Sequence, residues 1–377
     1  MNKKKEIVPK LRFPEFMNED EWKNKRIKQL LTIGNGCDYK HLSKGDIPVY
    51  GSGGYMCSVD DFLYDGDSVC IGRKGTIDKP IFLRGKFWTV DTLFYTHSYK
   101  NCIPKFVYNV FQKINWLKYN EAGGVPSLSK TTINKINIYI PKIPEQQKIV
   151  DCLSSIDELI DAENRKLKAL EKHKKGLMQK LFPAEGKTLP EWRFPEFQGC
   201  GEWNIDKLGN LCKITTGKLD ANAMVANGKY RFYTCAKEFF QIDKYAFNTE
   251  ALLISGNGAN VGYIHYYKGK FNAYQRTYVL DQFYEDIHYI QYYLERNLSR
   301  RINTEKNEGN TPYIVLKTLT DMDIFFPKDL KEQQKIAECL SVADTMIEEQ
   351  SNKVEQLKAH KKGLMQGLFP SLEEVDI

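Results

Sequence analysis

The stretch EQQKI occurs at Glu145–Ile149 and again at Glu332–Ile336. A second stretch, HKKGLMQ, follows each copy, at His173–Gln179 and His360–Gln366, and both copies then run into LFP. The paired stretches lie 187 residues apart, and 22 of the 39 aligned positions are identical. A duplication of this length predicts two copies of one structural unit, related by a pseudo-twofold axis.

Shorter repeats extend the duplication to the rest of the chain. RFPEF stands at Arg12–Phe16 and Arg193–Phe197, and GKF stands at Gly85–Phe87 and Gly269–Phe271. The separation grows along the chain, as expected when short loops are inserted into one copy of a shared fold. Few side chains between these repeats are identical. We therefore expect two similar scaffolds that carry different recognition faces.

A long helix is predicted after each domain. From Glu145, apolar residues recur in heptads over about 36 residues, and the second copy keeps the pattern, which is typical of a coiled coil. Polar residues interrupt this seam at Glu163 and Lys174, and again at Gln350 and Lys361. Because a long seam needs another helix to cover it, we expect the two helices to pack antiparallel. The alternative is that each helix packs on its own domain.

The remaining residues are typical of short strands and turns. The predicted fold class is α+β, with two similar α/β domains and two long helices packed as an antiparallel coiled coil in a pseudo-twofold repeat. The expected boundaries are 1–143 for the first domain, 144–183 for the central helix, 184–329 for the second domain and 330–377 for the C-terminal helix.

Composition excludes several classes of protein. No apolar run in the 377 residues is long enough to span a bilayer, and no apolar segment follows the basic N-terminus as in a signal peptide. The nine cysteines are never spaced CxxC, which favours free thiols and a cytoplasmic protein without a zinc site. Residues 1–140 carry a net charge of +8, which exceeds the +7 of the whole chain and suits contact with phosphates.

Motifs of stand-alone enzymes are missing. No two prolines are adjacent, which excludes the Asn/Asp-Pro-Pro-Tyr/Phe motif of amino-methyltransferases, and neither GxGxxG nor a P-loop is present. No proline precedes an aspartate, so the usual opening of a PD-(D/E)xK nuclease is absent. The six histidines form no metal-binding pattern. We therefore predict no catalytic residue and no metal site in this chain.

Loops at equivalent positions are the candidate recognition sites. Ser68–Ile71 runs into the cationic loop GRKG, whereas Leu252–Ser255 runs into the amide-rich loop GNGAN. Arg and Lys suit guanine edges and Asn suits adenine, although both loops could be ordinary turns with solvated side chains. The candidate DNA-contacting residues are Ser52, Arg73, Lys74, Thr76, Lys79, Asp91 and Thr92 in the first copy, and Thr234, Asn257, Asn260, Gln275 and Arg276 in the second.

A candidate docking surface lies on the helices. Gly176 and Gly363 stand before the last seam residues and are not simple helix caps, so they suit close approach of another chain. An ordinary helix ending is the alternative, because basic residues favour a C-terminal turn. The candidate docking residues are Gln146, Lys175, Gly176, Gln179, Gln333, Lys362, Gly363 and Gln366.

Three stretches together resemble the specificity subunit of type I restriction-modification enzymes. They are the RFPEF openings, the run GRKGTIDKP…GKFWTVDTLFY over 72–95, and PEQQKI…KHKKGLMQKLF over 144–182. The resemblance covers essentially the whole chain. It implies two target recognition domains that each read one half of a split sequence in double-stranded DNA. The second copy departs from the pattern, with Lys331 in place of Pro144 and GNGAN in place of GRKGT, so the half-sites should differ.

The same resemblance implies partners and cofactors. The helices would set the gap between half-sites and dock two modification subunits, which methylate adenine N6, and restriction subunits would join for cleavage. S-adenosylmethionine, ATP and Mg²⁺ would be bound by those partner subunits, and none by this chain. Three alternatives stay open: a specificity subunit of another restriction class, a coiled-coil scaffold with two protein-binding domains, and a stand-alone enzyme.

Overall fold

The computed structural model describes residues 8–305 and 313–370. The chain divides into two compact units. Unit 1 contains residues 1–164 and 352–377, and unit 2 contains residues 165–351. The first seven residues of the basic N-terminus and the last seven residues of the chain lie outside the described residues.

Eight helices are found in the described ranges. They are α1 Ile27–Leu30, α2 Pro104–Phe111, α3 Lys130–Lys135, α4 Ile143–Leu181, α5 Leu208–Leu211, α6 Ile287–Glu305, α7 Leu316–Thr320 and α8 Leu330–Leu368. The two long helices α4 and α8 confirm the heptad prediction. In the residues that the structure covers, no helix is long and apolar enough to cross a membrane.

The strands follow the same order in both copies. Those of unit 1 are β1 Lys23–Arg26, β2 Thr32–Gly34, β3 Lys44–Gly51, β4 Gly54–Val59, β5 Tyr64–Asp65, β6 Ser68–Gly72, β7 Ile81–Leu83, β8 Lys86–Thr89, β9 Leu93–His97 and β10 Asn137–Ile140. Those of unit 2 are β11 Asn204–Lys207, β12 Lys213–Thr216, β13 Tyr230–Tyr233, β14 Phe240–Ile242, β15 Phe247–Ser255, β16 Ile264–Ala273, β17 Thr277–Asp281 and β18 Asp323–Phe326.

Unit 1 is built on two four-stranded sheets, with strand orders β2-β9-β6-β7 and β4-β3-β8-β5. Strand β6 pairs antiparallel with β7 and β9, whereas β3 and β8 are parallel. Strands β1 and β10 form a separate antiparallel pair next to the start of α4. The parallel pair β3–β8 places the loops that follow these two strands at the same edge.

Unit 2 has matching strand connections but one six-stranded sheet, in the order β12-β17-β15-β16-β13-β14. The single long strand β16 takes the place of β7 and β8. Gly85 separates β7 from β8 with a φ of +75°, whereas Gly269 has a φ of +139° and lies inside β16. Both φ values favour glycine. The duplicated glycine therefore ends a strand in one copy and is accommodated within a strand in the other.

Each long helix starts by packing on the domain that precedes it. Ile149 and Leu153 of α4 lie in the apolar core of unit 1, and Ile336 and Leu340 of α8 lie in the core of unit 2. These four residues are also positions of the predicted seam. Packing of the helix on its own domain, which we expected only as the alternative, is thus correct for the first turns.

The repeated LFP sequence places the end of each helix in an apolar core. Phe182 is fully buried in unit 2, and Phe369 is buried in unit 1. A cation holds the chain at each of these ends. Arg296 Nη1 donates to the carbonyl of Pro183 at 2.7 Å in unit 2, and Lys113 Nζ donates to the carbonyl of Phe369 at 3.2 Å in unit 1. LFP therefore contributes to the cores.

Ion pairs join the two long helices inside unit 1. Lys361 Nζ of α8 lies 2.5 Å from Asp157 Oδ1 of α4, and Lys353 Nζ lies 2.5 Å from Glu163 Oε1. Residue numbers rise along α4 as they fall along α8, so the helices run antiparallel, as predicted. Two polar residues that interrupt the heptads, Glu163 and Lys361, are therefore members of interhelical ion pairs.

The repeated RFPEF and EQQ motifs meet at the start of each long helix. Arg12 donates from Nε and Nη2 to Glu145 at 2.9 and 2.8 Å, and Arg193 donates in the same way to Glu332 at 2.6 and 2.7 Å. The side chains of the two glutamates are only 3% and 0% exposed. These bidentate pairs fix the segment before each domain against the helix that follows the domain.

Candidate nucleic-acid interface

Three loops of unit 1 meet at one edge of its sheets. They follow β3, β6 and β8. The backbone N–H of Arg73 donates to the carbonyl of Thr92 at 2.8 Å. Gly75, with a φ of +91°, lies so close to Ser52 that a Cβ atom would be 3.1 Å from its Oγ, and a Cβ on Gly72 would overlap the turn that follows it. Glycine is therefore needed to bring these loops together.

An open cleft of about 870 Å³ lies beside the three loops. Four predicted contact residues line it, namely Arg73, Lys74, Asp91 and Thr92. The side chains of Arg73 and Lys74 are exposed, and within the described residues the guanidinium of Arg73 makes one long hydrogen bond, 3.4 Å, to the carbonyl of Asp91. Most of its donors are therefore free to bind an incoming acceptor.

The opposite wall of the cleft was missed by sequence reasoning. It is formed by the loop over 120–129 and the start of α3, and the backbone N–H of Leu128 in this wall donates to the carbonyl of Arg73 at 2.9 Å. Lys130 adds a third cation, 5.9 Å from the ring of Phe94. Burial, and to a lesser extent the charge of Arg73, lowers the pKa of Lys130. The Gly-rich segment before the Ser129 helix cap was the available signal.

The corresponding loops of unit 2 meet in the same way. The backbone N–H of Tyr274 donates to the carbonyl of Tyr233 at 2.9 Å, as that of Val90 donates to Tyr50 at 2.9 Å in unit 1. The ends of β3 and β8 in unit 1 and of β13 and β16 in unit 2 are therefore joined by equivalent backbone hydrogen bonds. Different side chains stand on this shared scaffold.

Amide and basic side chains mark the loops of unit 2. The backbone N–H of Gly256 donates to the carbonyl of Arg276 at 2.8 Å, which places Asn257 beside the third loop. Arg276 and Gln275 are exposed, and the amide of Gln275 donates to Asp220 Oδ1 at 2.8 Å. The side chain of Asn257 is half-buried. These residues form the candidate reading surface of unit 2.

Some predicted contact residues are placed differently. Thr234 is 6% exposed, and its hydroxyl accepts from the backbone N–H of Ala236 at 3.2 Å, so it shapes the loop. The amide of Asn260 donates to the carbonyl of Cys235 at 3.0 Å and is half-buried. Thr76 is half-buried, and Lys79 is exposed but outside the cleft. We therefore exclude Thr234 and Lys79 from the proposed direct contacts.

The candidate docking residues near the helix ends are accessible. Lys175, Gln179, Lys362 and Gln366 are exposed. A Cβ atom on either duplicated glycine of this motif would meet nothing within 4 Å. Glycine inside a helix is about 1 kcal/mol less favourable than alanine. Within the described residues, no neighbouring atom requires Gly176 or Gly363 to lack a side chain.

Gln146 and Gln333 differ from the other docking candidates because both side chains are fully buried. Gln146 accepts from the backbone N–H of Ile103 at 2.9 Å, and Gln333 accepts from that of Asp286 at 3.0 Å. Each glutamine thus satisfies a backbone donor at the start of α2 or α6. Their amides also donate within their own units, so we remove both glutamines from the proposed docking surface.

No group of His, Cys, Asp or Glu in residues 8–305 and 313–370 is arranged to hold a metal ion. All nine cysteines are free thiols, as predicted. The two loop clusters present the cations Arg73, Lys74 and Arg276, the carboxylate of Asp91, and the amides of Asn257 and Gln275. The arrangement can present hydrogen-bond donors to an acceptor-rich surface.

The duplicated fold and its paired loop clusters define a recognition protein with two binding faces. The type I restriction modification DNA specificity domain matches the chain twice, over residues 19–172 and 201–359. The chain therefore belongs to the family of type I restriction-modification specificity proteins. That family provides sequence specificity and is not catalytic.

Individual relatives agree with this assignment. The EcoDI specificity subunit of Escherichia coli is 39% identical over 169 residues, which cover 45% of this chain and 37% of that subunit. The MjaVIII specificity subunit of Methanocaldococcus jannaschii is 26% identical over 345 residues, which cover 80% of this chain and 76% of that protein. The chain thus spans little more than a third of the first relative and about three quarters of the second.

Solved structures share the fold. The S subunit of a type I restriction-modification system from M. genitalium superimposes with a TM-score of 0.71 at 16% identity, covering 97% of this chain and 100% of that chain. A chain from a study of type I restriction-modification complex assembly gives a TM-score of 0.54 at 15% identity, covering 93% and 98%. Two similar domains with two long helices are therefore a fold found in this class of proteins.

Proposed function

We propose that each unit reads one half of a bipartite sequence in double-stranded DNA. The observation that carries this proposal is the convergence of three equivalent loops in each unit, with different side chains on a shared scaffold. The DNA major groove presents a distinct donor and acceptor pattern for each base pair. Two different reading surfaces suit two different half-sites.

The cleft of unit 1 supports reading of guanine. Arg73 and Lys74 present free donors, and Arg can bind the O6 and N7 atoms of guanine with two parallel hydrogen bonds. Lys130, on the opposite wall, would neutralise a phosphate as the duplex enters. Asp91 can accept from a cytosine amino group, and Thr92 can bind either kind of base edge.

The loops of unit 2 support a different half-site. Asn257 can pair with the N6 and N7 atoms of adenine. Arg276 would read a guanine or hold a phosphate, and Gln275 can bind adenine once it leaves Asp220. The half-buried Asn260 would position the loop from behind. Base contacts of this kind specify the sequence, whereas phosphate contacts fix the register of the protein on the duplex.

The long helices would set the distance between the half-sites and dock the partner subunits. For this function we take domains at 1–143 and 184–329, each followed by a spacer region, at 144–183 and 330–377, that is built on α4 or α8. Two equivalent surfaces would each receive one modification subunit. The first is formed by Lys175, Gly176 and Gln179, and the second by Lys362, Gly363 and Gln366. Two equivalent surfaces suit two copies of the same partner.

Catalysis would belong to those partners. The modification subunits would bind S-adenosylmethionine and rotate the target adenine out of the duplex for N6-methylation. Restriction subunits would supply the ATP- and Mg²⁺-dependent steps. Within this chain, the residues described above would position the duplex and the adenine without taking part in the chemistry. The complex would act in the cytoplasm on intracellular or incoming DNA.

Binding of the full chain to DNA tests this function against a protein-only scaffold. The chain, co-purified with its modification subunit, is titrated onto a fluorescently labelled duplex at several salt concentrations. We expect affinity to fall steeply as salt rises, because counterions are released from the phosphates that the protein neutralises. A complex that forms stably yet shows no salt-dependent affinity for DNA would contradict the proposal and favour the scaffold.

A further inference from the structure

A concavity of about 490 Å³ lies on strands β13, β14 and β16 of unit 2. None of the residues predicted from the sequence lines it. Its walls combine cations with aromatic rings, namely Lys229, Arg231, Phe239, Tyr267 and Lys270. These five residues are called the cation–aromatic patch below.

Arg231 is held between two rings. Its guanidinium carbon lies 4.2 Å from the centroid of Phe239 and 4.6 Å from that of Tyr267. One donor, Nη1, reaches the hydroxyl of Tyr233 at 3.3 Å. Aromatic contacts occupy the faces of the guanidinium and leave most of its edge donors open. The group is thus preorganised for an acceptor that arrives from solvent.

The two lysines of the patch are also placed on rings. Lys270 Nζ lies 4.8 Å from the centroid of Tyr245, and Lys229 Nζ lies 5.6 Å from that of Tyr230. In the part of the chain that the structure describes, none of the three cations forms an ion pair with a carboxylate. Three adjacent unneutralised cations favour an anionic ligand by charge complementarity.

The patch is continuous with the reading surface of unit 2. Phe239 lies in the loop between β13 and β14, which is the loop that begins at Thr234. His265 Nε2 of β16 lies 3.0 Å from the carbonyl of Ala236 in the same loop. A duplex that contacts the reading loops would therefore pass near the patch.

The equivalent strands of unit 1, all within the described residues, do not repeat this patch. Strand β3 corresponds to β13, since each pairs in parallel with the strand that carries the repeated GKF sequence. In β3, Asp46 stands at the position of Lys229 and Pro48 at that of Arg231. Only the third cation is kept, as Lys86, which lies 4.7 Å from the ring of Phe62. The patch is thus a property of unit 2 alone.

We propose that the cation–aromatic patch binds phosphates of the DNA backbone beside the second half-site. This inference rests on the proposed function. Arg offers planar paired donors that match phosphate oxygens, and the lysines add point charges. Contacts of this kind carry no sequence information. The patch therefore adds salt-dependent affinity to unit 2, whereas both units contribute specificity.

The test compares three variants of the full chain in complex with its modification subunit. They are the triple variant Lys229→Gln, Arg231→Gln and Lys270→Gln; Arg231→Lys, which keeps the charge; and Lys86→Gln, the matched control from unit 1. The probe is a fluorescently labelled duplex of mixed sequence, measured by anisotropy over a range of KCl concentrations. Thermal unfolding checks that each variant is folded.

We expect the triple variant to bind about tenfold or more weakly at low salt. The slope of log K against log salt should become shallower by about 2 to 3, since each phosphate contact contributes about 0.9. Arg231→Lys should keep most of the slope, and Lys86→Gln should leave it within about 0.5 of the wild type. This pattern would support the patch as a backbone contact.

Two results would overturn the inference while leaving the proposed function intact. One is an unchanged slope and affinity in the triple variant when the wild type binds DNA with a clear salt dependence. The other is loss of the modification subunit from the triple variant, which would identify an acidic protein surface as the occupant. If the wild-type complex itself fails to bind DNA, the proposed function fails first.

Discussion

Lys174 Nζ lies 2.6 Å from Asp344 Oδ1, which joins the end of α4 to the start of α8 in unit 2. In unit 1, Lys361 makes the same contact with Asp157 at 2.5 Å. Lys361 is the repeat of Lys174, and Asp344 is the repeat of Asp157. Each copy therefore supplies the lysine of one ion pair and the aspartate of the other. Antiparallel pairing of the helices is therefore encoded by the duplication itself.

Lengthening both helices should lengthen the gap between half-sites. Seven residues inserted after Asn164 and after Ser351 keep the heptad pattern and the ion pairs of each unit. They add about 10 Å of helix, which corresponds to about three base pairs at 3.4 Å each. We expect the methylated motif to keep both half-sites and to gain about three unread positions. Mapping of methylated adenines in cells that express the variant measures this.

An insertion in α4 alone is the control for the lengthened helices. It shifts the register of one helix against the other, so it should reduce the yield of complex. If the paired insertion produced methylation with an unchanged gap, the helices would not determine the spacing.

Arg12→Ala should destabilise unit 1 strongly. The carboxylate of Glu145 is 3% exposed and would keep only the hydrogen bond from Trp22 Nε1, at 3.1 Å. Breaking a buried ion pair leaves an uncompensated charge, so we expect a loss of about 3 kcal/mol in the free energy of unfolding. Urea denaturation of the purified chain gives this value.

The exposed ion pair between Lys142 and Glu19 provides the control for the Arg12→Ala variant. Its side chains are 58% and 41% exposed, so Lys142→Ala should lower the free energy of unfolding far less than Arg12→Ala does. Equal losses in the two variants would mean that the RFPEF motif does not hold the helix start.

Stability should depend on pH through Lys113. Burial lowers the pKa of Lys113 from its ordinary 10.5 to about 8. Between these two pH values the unfolded chain binds more protons than the folded chain, so this residue's contribution to stability improves as pH rises. The wild type should therefore gain stability relative to Lys113→Met between pH 8 and pH 10. Urea midpoints of both proteins over that range measure the difference, and a constant difference would contradict a buried amine at this position.

Arg73→Ala with Lys74→Ala should relax the first half-site only. A lost pair of hydrogen bonds to a base costs about 1 to 3 kcal/mol of discrimination, whereas unit 2 keeps its own loops. In the methylated motif, one or two defined positions of one half should become degenerate. Lys79→Ala removes a nearby exposed charge outside the cleft and should leave the motif unchanged. Loss of definition in both halves, or in neither, would show that this cleft does not read the first half-site.

The helices could be predicted closely from the sequence because their signal is local. The heptads indicated a helix from 145 to about 180, and α4 runs from Ile143 to Leu181. The partners of the polar residues that interrupt the heptads could not be predicted in this way. Lys361 is satisfied by Asp157, which lies 204 residues away, and only packing in three dimensions reveals that contact.

The positions of the candidate loops were predictable for a different reason. Repeated strand ends, such as those before Gly72 and Gly256, placed the loops at equivalent positions of a duplicated scaffold. Their partners were not predictable, since the wall that carries Lys130 reaches the cleft through backbone bonds to residues far away in sequence. The cation–aromatic patch was missed because its members are spread over β13, β16 and the loops next to β13 and β14.

Adenine methylation directed by the unaltered chain tests the central claim most directly. The chain is co-expressed with its modification subunit in a host that lacks other adenine methyltransferases, and N6-methyladenine is mapped across the genome by single-molecule sequencing. Two different half-sites separated by a fixed unread gap are the result that two distinct reading units predict. A single continuous motif, or a stable complex that methylates nothing in a defined sequence, would contradict the assignment of one half-site to each unit.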